Sequence, residues 1–183
     1  MSGDGEEKSG DGVPLVVDLD GTLVRSDLLH ESAVRAVVRA PRAALSAVPA
    51  LIRNDRAALK RRLALAAPIE AETLPLREEV VAVLREEKAR GRRLVLATAA
   101  DELLARPVAE RVGLFDDLLA SDGRKNLGGE AKRAELVSRF GEKGFDYVAD
   151  RRADLPVFRS ARSAVLVGRS EEHTSELQSL RLI

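Results

Sequence analysis

An apolar run, Val13 to Val17, leads directly into Asp18-Leu19-Asp20-Gly21-Thr22, and this junction limits the possible folds more than any other stretch. The run is long enough for one buried strand and too short for a stable helix. Strand alternation points Asp18 and Asp20 the same way, and Gly21 lets the chain turn where a side chain would be strained. Two carboxylates at the end of a buried strand are unfavourable unless something cationic joins them. A hard divalent cation such as Mg²⁺, which takes carboxylate oxygens and water, meets that need. The alternatives are an acidic turn or a calcium loop. The latter is disfavoured because Thr22 and Leu23 stand where its third acidic ligand and its glycine belong.

At 183 residues the chain can build one medium domain, or a core with a small insertion. Lys plus Arg number 30 and Asp plus Glu number 30, so no global field points to nucleic acid. The absence of cysteine excludes a disulfide framework and any thiolate metal site, and fits a reducing compartment. Few aromatics with abundant Ala, Arg, Val and Leu suggest a high-GC bacterial coding sequence. No apolar run approaches the roughly 20 residues of a membrane span; the longest candidate, Ala43 to Ile52, carries Pro49. Residues 1–12, MSGDGEEKSGDG, read as a disordered tail unlike a secretory signal, which makes the cytoplasm the expected location.

Apolar spacing divides the remainder. Ser26 or Asp27 is placed to cap a helix over residues 28–40, which Pro41 breaks or restarts. A second helical stretch covers about Arg42 to Ile52, interrupted at Pro49, and a third covers Arg56 to Ala66. No strand pattern occurs between Ser26 and Leu74. Leu76 to Arg90 is an amphipathic helix with Val80, Val81, Val83 and Leu84 as its apolar stripe, stopped by Gly91. Arg93 to Ala97 then reads as a buried strand ending at Thr98. A helix over Asp101 to Val112 contains Pro107, and Phe115 to Leu119 gives a short strand. Gly128-Gly129 precedes a helix over Glu130 to Phe140. Phe145 to Ala149 and Ser163 to Val167 are the last strands, the first of them ending at Asp150. Strands separated by helical segments imply an α/β fold: a Rossmann-like parallel sheet flanked by helices, with an all-helical insertion.

DLDGT matches motif one, DxDGT, of the haloacid dehalogenase (HAD) superfamily, at Asp18, Asp20, Gly21 and Thr22. The resemblance implies that Asp18 is a nucleophile forming an aspartyl-phosphate. It implies that Asp20 is the general acid and then the base. LVLAT, ending at Thr98, resembles motif two; Lys132 in GGEAK resembles the phosphate-binding lysine of motif three; ADRRAD resembles motif four. On that likeness Thr98 and Lys132 bind the substrate phosphate. Asp150 joins Asp18 and the Asp20 carbonyl around Mg²⁺, while Asp154, Gly21 and Thr22 support the site. Taken singly, a Thr at a strand end is usually a cap, a Lys in a first helical turn a surface residue, and two Asp four apart capping groups. Their order alongside DxDGT is what carries the assignment. Arg151 and Arg152 depart from the usual small polar residue after the first motif-four Asp, and Ala149 replaces its usual Gly. His30 reads as a surface histidine.

The resemblance implies a division into a core over residues 13–25 and 75–168 and a helical cap over 26–74. At finer grain, VDLDGTLVRSDLLHES, LVLATAADELLA, ASDGRKNLGGEAK and FDYVADRRADLPVF resemble the soluble N-terminal HAD domain fused ahead of bacterial UbiA-type membrane prenyltransferases. This implies a phosphatase for a small phosphorylated substrate, tethered on the cytoplasmic face to a membrane prenyltransferase half. The alternative is a weakly active or inactive regulatory domain for that half. A dehalogenase fits less well, because Asp20 is the acid/base expected of phosphatases; a phosphotransferase is a further alternative, since water and alcohol acceptors share the aspartyl-phosphate. Residues 169–179, RSEEHTSELQS, back-translate into a common DNA-sequencing adapter, so 169–183 reads as an artefactual tail that replaces natural sequence after Gly168.

Overall fold

Three residues, Leu15–Val17 (β1), form the centre of a five-stranded sheet and are wholly buried. The computed structural model describes residues 12–150 and 154–167. The readings of the N-terminal tail (residues 1–11), of Arg151 and Arg152, and of the 169–183 tail lie outside them. The other strands are β2 (Leu94–Asp101), β3 (Asp117–Ser121), β4 (Asp146–Ala149) and β5 (Ala164–Leu166). All pair in parallel in the order β3-β2-β1-β4-β5. Successive strands run outward from β1 on one side, then return to its other side. The order therefore reverses at β1, where an open α/β sheet leaves a crevice at the strands' carboxyl ends.

Alternation divides the core as the period of two requires. Leu15 and Val17 pack with Leu94, Leu96 and Val148 on one face, together with Val80 and Leu84 of α5 (Glu78–Ala89) and Leu104 and Val108 of α6 (Glu102–Val112). Val16 packs with Val95, Ala97 and Tyr147 on the other, under Leu136 of α7 (Glu130–Phe140) and Val157 of α8 (Leu155–Ser160). Burying each large aliphatic side chain stabilises the fold by roughly 1.5–3 kcal/mol. The expected Rossmann-like α/β sheet is present.

Between β1 and α5 the chain is helical, as expected. The first helix, α1 (Leu28–Arg39), is capped by Asp27, whose Oδ1 accepts from His30 N at 3.1 Å. Pro41 starts α2 (Pro41–Ala44) at its first position, where a missing N–H is harmless. Pro49 likewise sits in the first turn of α3 (Val48–Ile52), after a short 3₁₀ turn, so it begins a helix and does not interrupt one. Asp55 caps α4 (Arg56–Ala66) through Ala58 N at 3.0 Å. These helices share a small core of Ala36, Ala47, Leu63 and Ala67. Among the described residues no helix is long and apolar enough to cross a membrane.

Several boundaries differ from the sequence reading. The second strand does not end at Thr98; it continues to Asp101, with a register shift against β3 after Ala97. The third begins at Asp117, two residues later than Phe115, because Asp116 is spent on Leu94: its N–H donates to Leu94 O and its carboxylate accepts from Leu94 N, both at 2.8 Å. Helix α6 runs continuously through Pro107 and ends at Gly113, whose φ of 67° is left-handed. Six-residue α8 was not anticipated, being too short to show a period.

The amino ends of the strands carry a buried ion cluster. Asp146, first residue of β4, accepts from Arg162 Nε and Nη2 at 3.0 and 2.8 Å, from Ser163 N at 3.1 Å and from Arg92. Arg92 also donates to Val13 O and to Glu87 Oε2, each at 3.0 Å. Burial pushes the Asp146 carboxyl up, but Arg162 and Arg92 outweigh it and hold it below its ordinary value.

Candidate active site

The carboxyl ends of the strands are organised around the turn after β1. Asp18 N donates to Val148 O at 2.9 Å, so the chain keeps its register with β4 for one more residue before turning. Arg77 then clamps the turn, with Nη2 donating to Gly21 O at 2.9 Å and Nε to Thr22 O at 3.1 Å. Thr22 is fully buried. Gly21 has φ of 79°, and a Cβ there would lie 1.9 Å from Asp150 Oδ2. Only glycine admits both that backbone and that neighbour. The contact fixes the Asp150 carboxylate, from the end of β4, against the loop that carries Asp18 and Asp20.

Lys132, in the first turn of α7, is 1% exposed. Its ammonium donates to Asp18 Oδ1 at 2.7 Å and to the Tyr147 hydroxyl at 3.0 Å, and lies 3.2 Å from Asp154 Oδ1. Asp18 and Asp154 are also buried. Thus residues far apart in sequence meet in one contact group. Burial works against the Lys132 ammonium, yet Asp18 and Asp154 outweigh it and raise its proton affinity. Burial pushes the Asp18 carboxyl up, Asp154 adds to this, and Lys132 opposes both. Burial, then the charges of Asp18 and Asp154, keep the Tyr147 phenol protonated well above its ordinary range.

Asp20 faces the same cleft, of ≈ 460 Å³, as Asp18, Lys132 and Asp154. Its Oδ1 accepts from Leu28 N at 2.8 Å, which ties it to the first turn of α1. Thr98 is fully buried in β2, and its hydroxyl accepts from Ala100 N at 2.9 Å, at the register shift. Its neighbour Ala99, not Thr98 itself, lines the cleft. So the structure brings Asp18, Lys132 and Asp154 into contact, places Asp20 beside them, sets Asp150 on the Gly21 turn, and leaves Thr98 behind the wall. A second cleft of ≈ 460 Å³, lined by Ala43, Arg61, Leu65 and Gly123 among others, has no acidic lining and no comparable chemistry.

The donors suit a hard cation. Asp18 and Asp154 share one ammonium among the described residues, and Asp150 stands against the adjoining turn. Among the described residues no three acidic or histidine side chains form a ready-made metal cage. An ion taking two carboxylates, a main-chain carbonyl and several waters is the magnesium pattern, which needs no such cage.

Sequence reasoning missed four residues. Lys60 of α4 donates to Ala99 O at 2.6 Å and to Asn126 Oδ1 at 2.7 Å, fastening the helical segment over the cleft. Burial pushes its ammonium down, which Asp20 opposes. Arg56, one turn earlier, also lines the cleft, and this i, i+4 basic pair was the available signal. Tyr147 and Arg77 gave none, since each reads as an ordinary strand or helix-start residue.

Known proteins share this fold. The family model of the haloacid dehalogenase-like hydrolases matches residues 15–159. The uncharacterized protein y4nM of Sinorhizobium fredii is 39% identical over 166 residues, covering 91% of this chain and 32% of that protein. The chain thus spans about a third of the length of that curated relative. A protein of unknown function from Bordetella pertussis Tohama I superposes with a TM-score of 0.64 at 18% identity, covering 92% of this chain and 95% of that one. A substrate-bound phosphoserine phosphatase superposes with a TM-score of 0.58 at 16% identity, covering 85% and 86%. With the family model matched over residues 15–159, which hold β1 to β4 and the carboxylates Asp18, Asp20, Asp150 and Asp154, the chain belongs to the haloacid dehalogenase-like hydrolases.

Proposed function

We propose that this hydrolase is a Mg²⁺-dependent phosphomonoester phosphatase that works through an aspartyl-phosphate on Asp18. The observation that carries the reading is the buried Asp18–Lys132–Asp154 group opening into one cleft with Asp20. The fold shared with phosphoserine phosphatases supports it.

In this mechanism an Asp18 carboxylate oxygen attacks phosphorus, the ester P–O bond breaks, and Asp20 gives its proton to the departing alkoxide. Asp20 then takes a proton from water, which attacks the same phosphorus and releases inorganic phosphate and free Asp18. Lys132 holds one Asp18 oxygen, leaving the other to attack, and its charge faces the phosphoryl oxygens. Thr98 shapes the end of β2, so that backbone N–H groups there serve as donors to the phosphate. Asp18, Asp150 and the Asp20 carbonyl would hold Mg²⁺, which when bound supplies positive charge for the transferring group.

The helices α1 to α4 act as a cap, with Arg56 and Lys60 presented to the substrate's non-reacting part. In the longer protein we place a UbiA-type prenyltransferase half beyond Gly168, a reading that the uninterrupted genomic frame tests directly. The enzymatic test is hydrolysis of p-nitrophenyl phosphate with Mg²⁺, which Asp18→Asn should reduce by about 10³-fold or more. Calorimetry should show beryllium fluoride binding only together with Mg²⁺. No hydrolysis with any divalent metal, and no joint binding, would overturn the proposal.

A further inference from the structure

The helical layer of α1 to α3 is apolar on its outside. Val34, Val37 and Val38 form one face of α1, at i, i+3 and i+4. Leu45, Val48, Leu51 and Ile52 form one face of the following 3₁₀ turn and α3, at i, i+3, i+6 and i+7. All seven are exposed, Val38 at 74% and Ile52 at 79%. Beyond Leu28 and Ser32 in the first turns of α1, the buried positions of these segments hold the small residues Ala36, Ala47 and Ala50. From Val34 to Ile52 the usual sorting is thus inverted, with large aliphatic groups in water and methyl groups inside. Exposed apolar surface of this extent marks a binding face.

Charge identifies the occupant. Arg35, Arg39, Arg42 and Arg53 are interleaved with the apolar residues, and no Asp or Glu occurs between Glu31 and Asp55. None of the four arginines forms an ion pair among the described residues. Two copies packed through this face would set arginine against arginine. A surface that offers apolar depth and negative charge together is an anionic bilayer, entered by the valines, leucines and isoleucine while the guanidinium groups reach lipid phosphates. We propose that this layer docks on anionic membranes. The docking is peripheral, requires no spanning helix, and stands independently of the phosphatase reading.

The experiment is co-sedimentation of the full chain with vesicles of phosphatidylcholine alone or mixed with phosphatidylglycerol. The chain should sediment with the mixed vesicles and much less with the neutral ones, and raising salt should weaken the binding. Val38→Asp combined with Ile52→Asp should lower partitioning by about tenfold or more, with an unchanged circular dichroism spectrum, since both sites are solvent-facing. Arg39→Glu with Arg42→Glu should abolish the preference for anionic lipid. Three results would overturn the proposal: no sedimentation with mixed vesicles; equal binding by the Val38/Ile52 variant; or light scattering that shows a dimer, dispersed by that variant, with no vesicle binding.

Discussion

Both ends of the sheet bury carboxylates, but they balance them differently. At the amino ends Asp146 and Glu87 face Arg92 and Arg162, and each Asp146 oxygen is met by a guanidinium group. At the carboxyl ends Asp18 and Asp154 share the single Lys132 ammonium, with Asp150 on the neighbouring turn. The same residue type is held below its ordinary proton affinity at Asp146 and pushed above it at Asp18. One cluster is satisfied by its own residues and ties strands together. In the other, Asp18 and Asp154 share one ammonium beside a cleft. Burial alone therefore does not distinguish the two clusters; the cations set against each acid do.

The comparison breaks most sharply on a pair of substitutions. Asp18→Asn should abolish turnover yet raise the melting temperature of the metal-free protein, gaining about 1 kcal/mol by relieving a crowded charge. A lower melting temperature would mean that Lys132 needs Asp18 more than the charge count implies. Asp146→Ala should do the reverse. It removes the carboxylate that Arg92 and Arg162 share, and with it about 3 kcal/mol of stability by urea titration, while kcat of the folded fraction stays unchanged. A change in kcat would show that the amino-end cluster communicates with the chemistry.

A smaller effect distinguishes the ends by pH. The folded value of Asp146 is depressed, so its contribution is complete above the unfolded carboxylate value, about pH 4, and is lost as pH falls through the lower folded value. The urea midpoint of Asp146→Asn should then fall less steeply than that of the wild type below about pH 4. The raised value of Asp18 has the opposite sign: its ionisation weakens the metal-free fold as pH rises through it. The Asp18→Asn midpoint should therefore decline less on going from acid to neutral pH.

The sheet was legible because each buried strand is a short apolar run bounded by turn signals, and VPLVVDLDGT shows both its strand and its acids. Lys132 was legible as a position behind Gly128-Gly129, but its burial was not, since nothing local in GGEAK says that its ammonium passes between two carboxylates. Lys60 and Tyr147 escaped notice because their roles exist only after α4 and β4 have docked. The length of β2 escaped because the register shift beyond Ala97 depends on pairing with β3.

The 1.9 Å that separates a hypothetical Gly21 methyl from Asp150 has a temporal side. Asp18 emerges from the ribosome long before Lys132, Asp150 and Asp154, and β1 acquires its second neighbour only when β4 arrives. A nascent chain therefore carries an isolated acid with no lysine to orient it. Asp18 and Lys132 can meet only once α7 has been made, and Asp150 reaches the Gly21 turn only with β4.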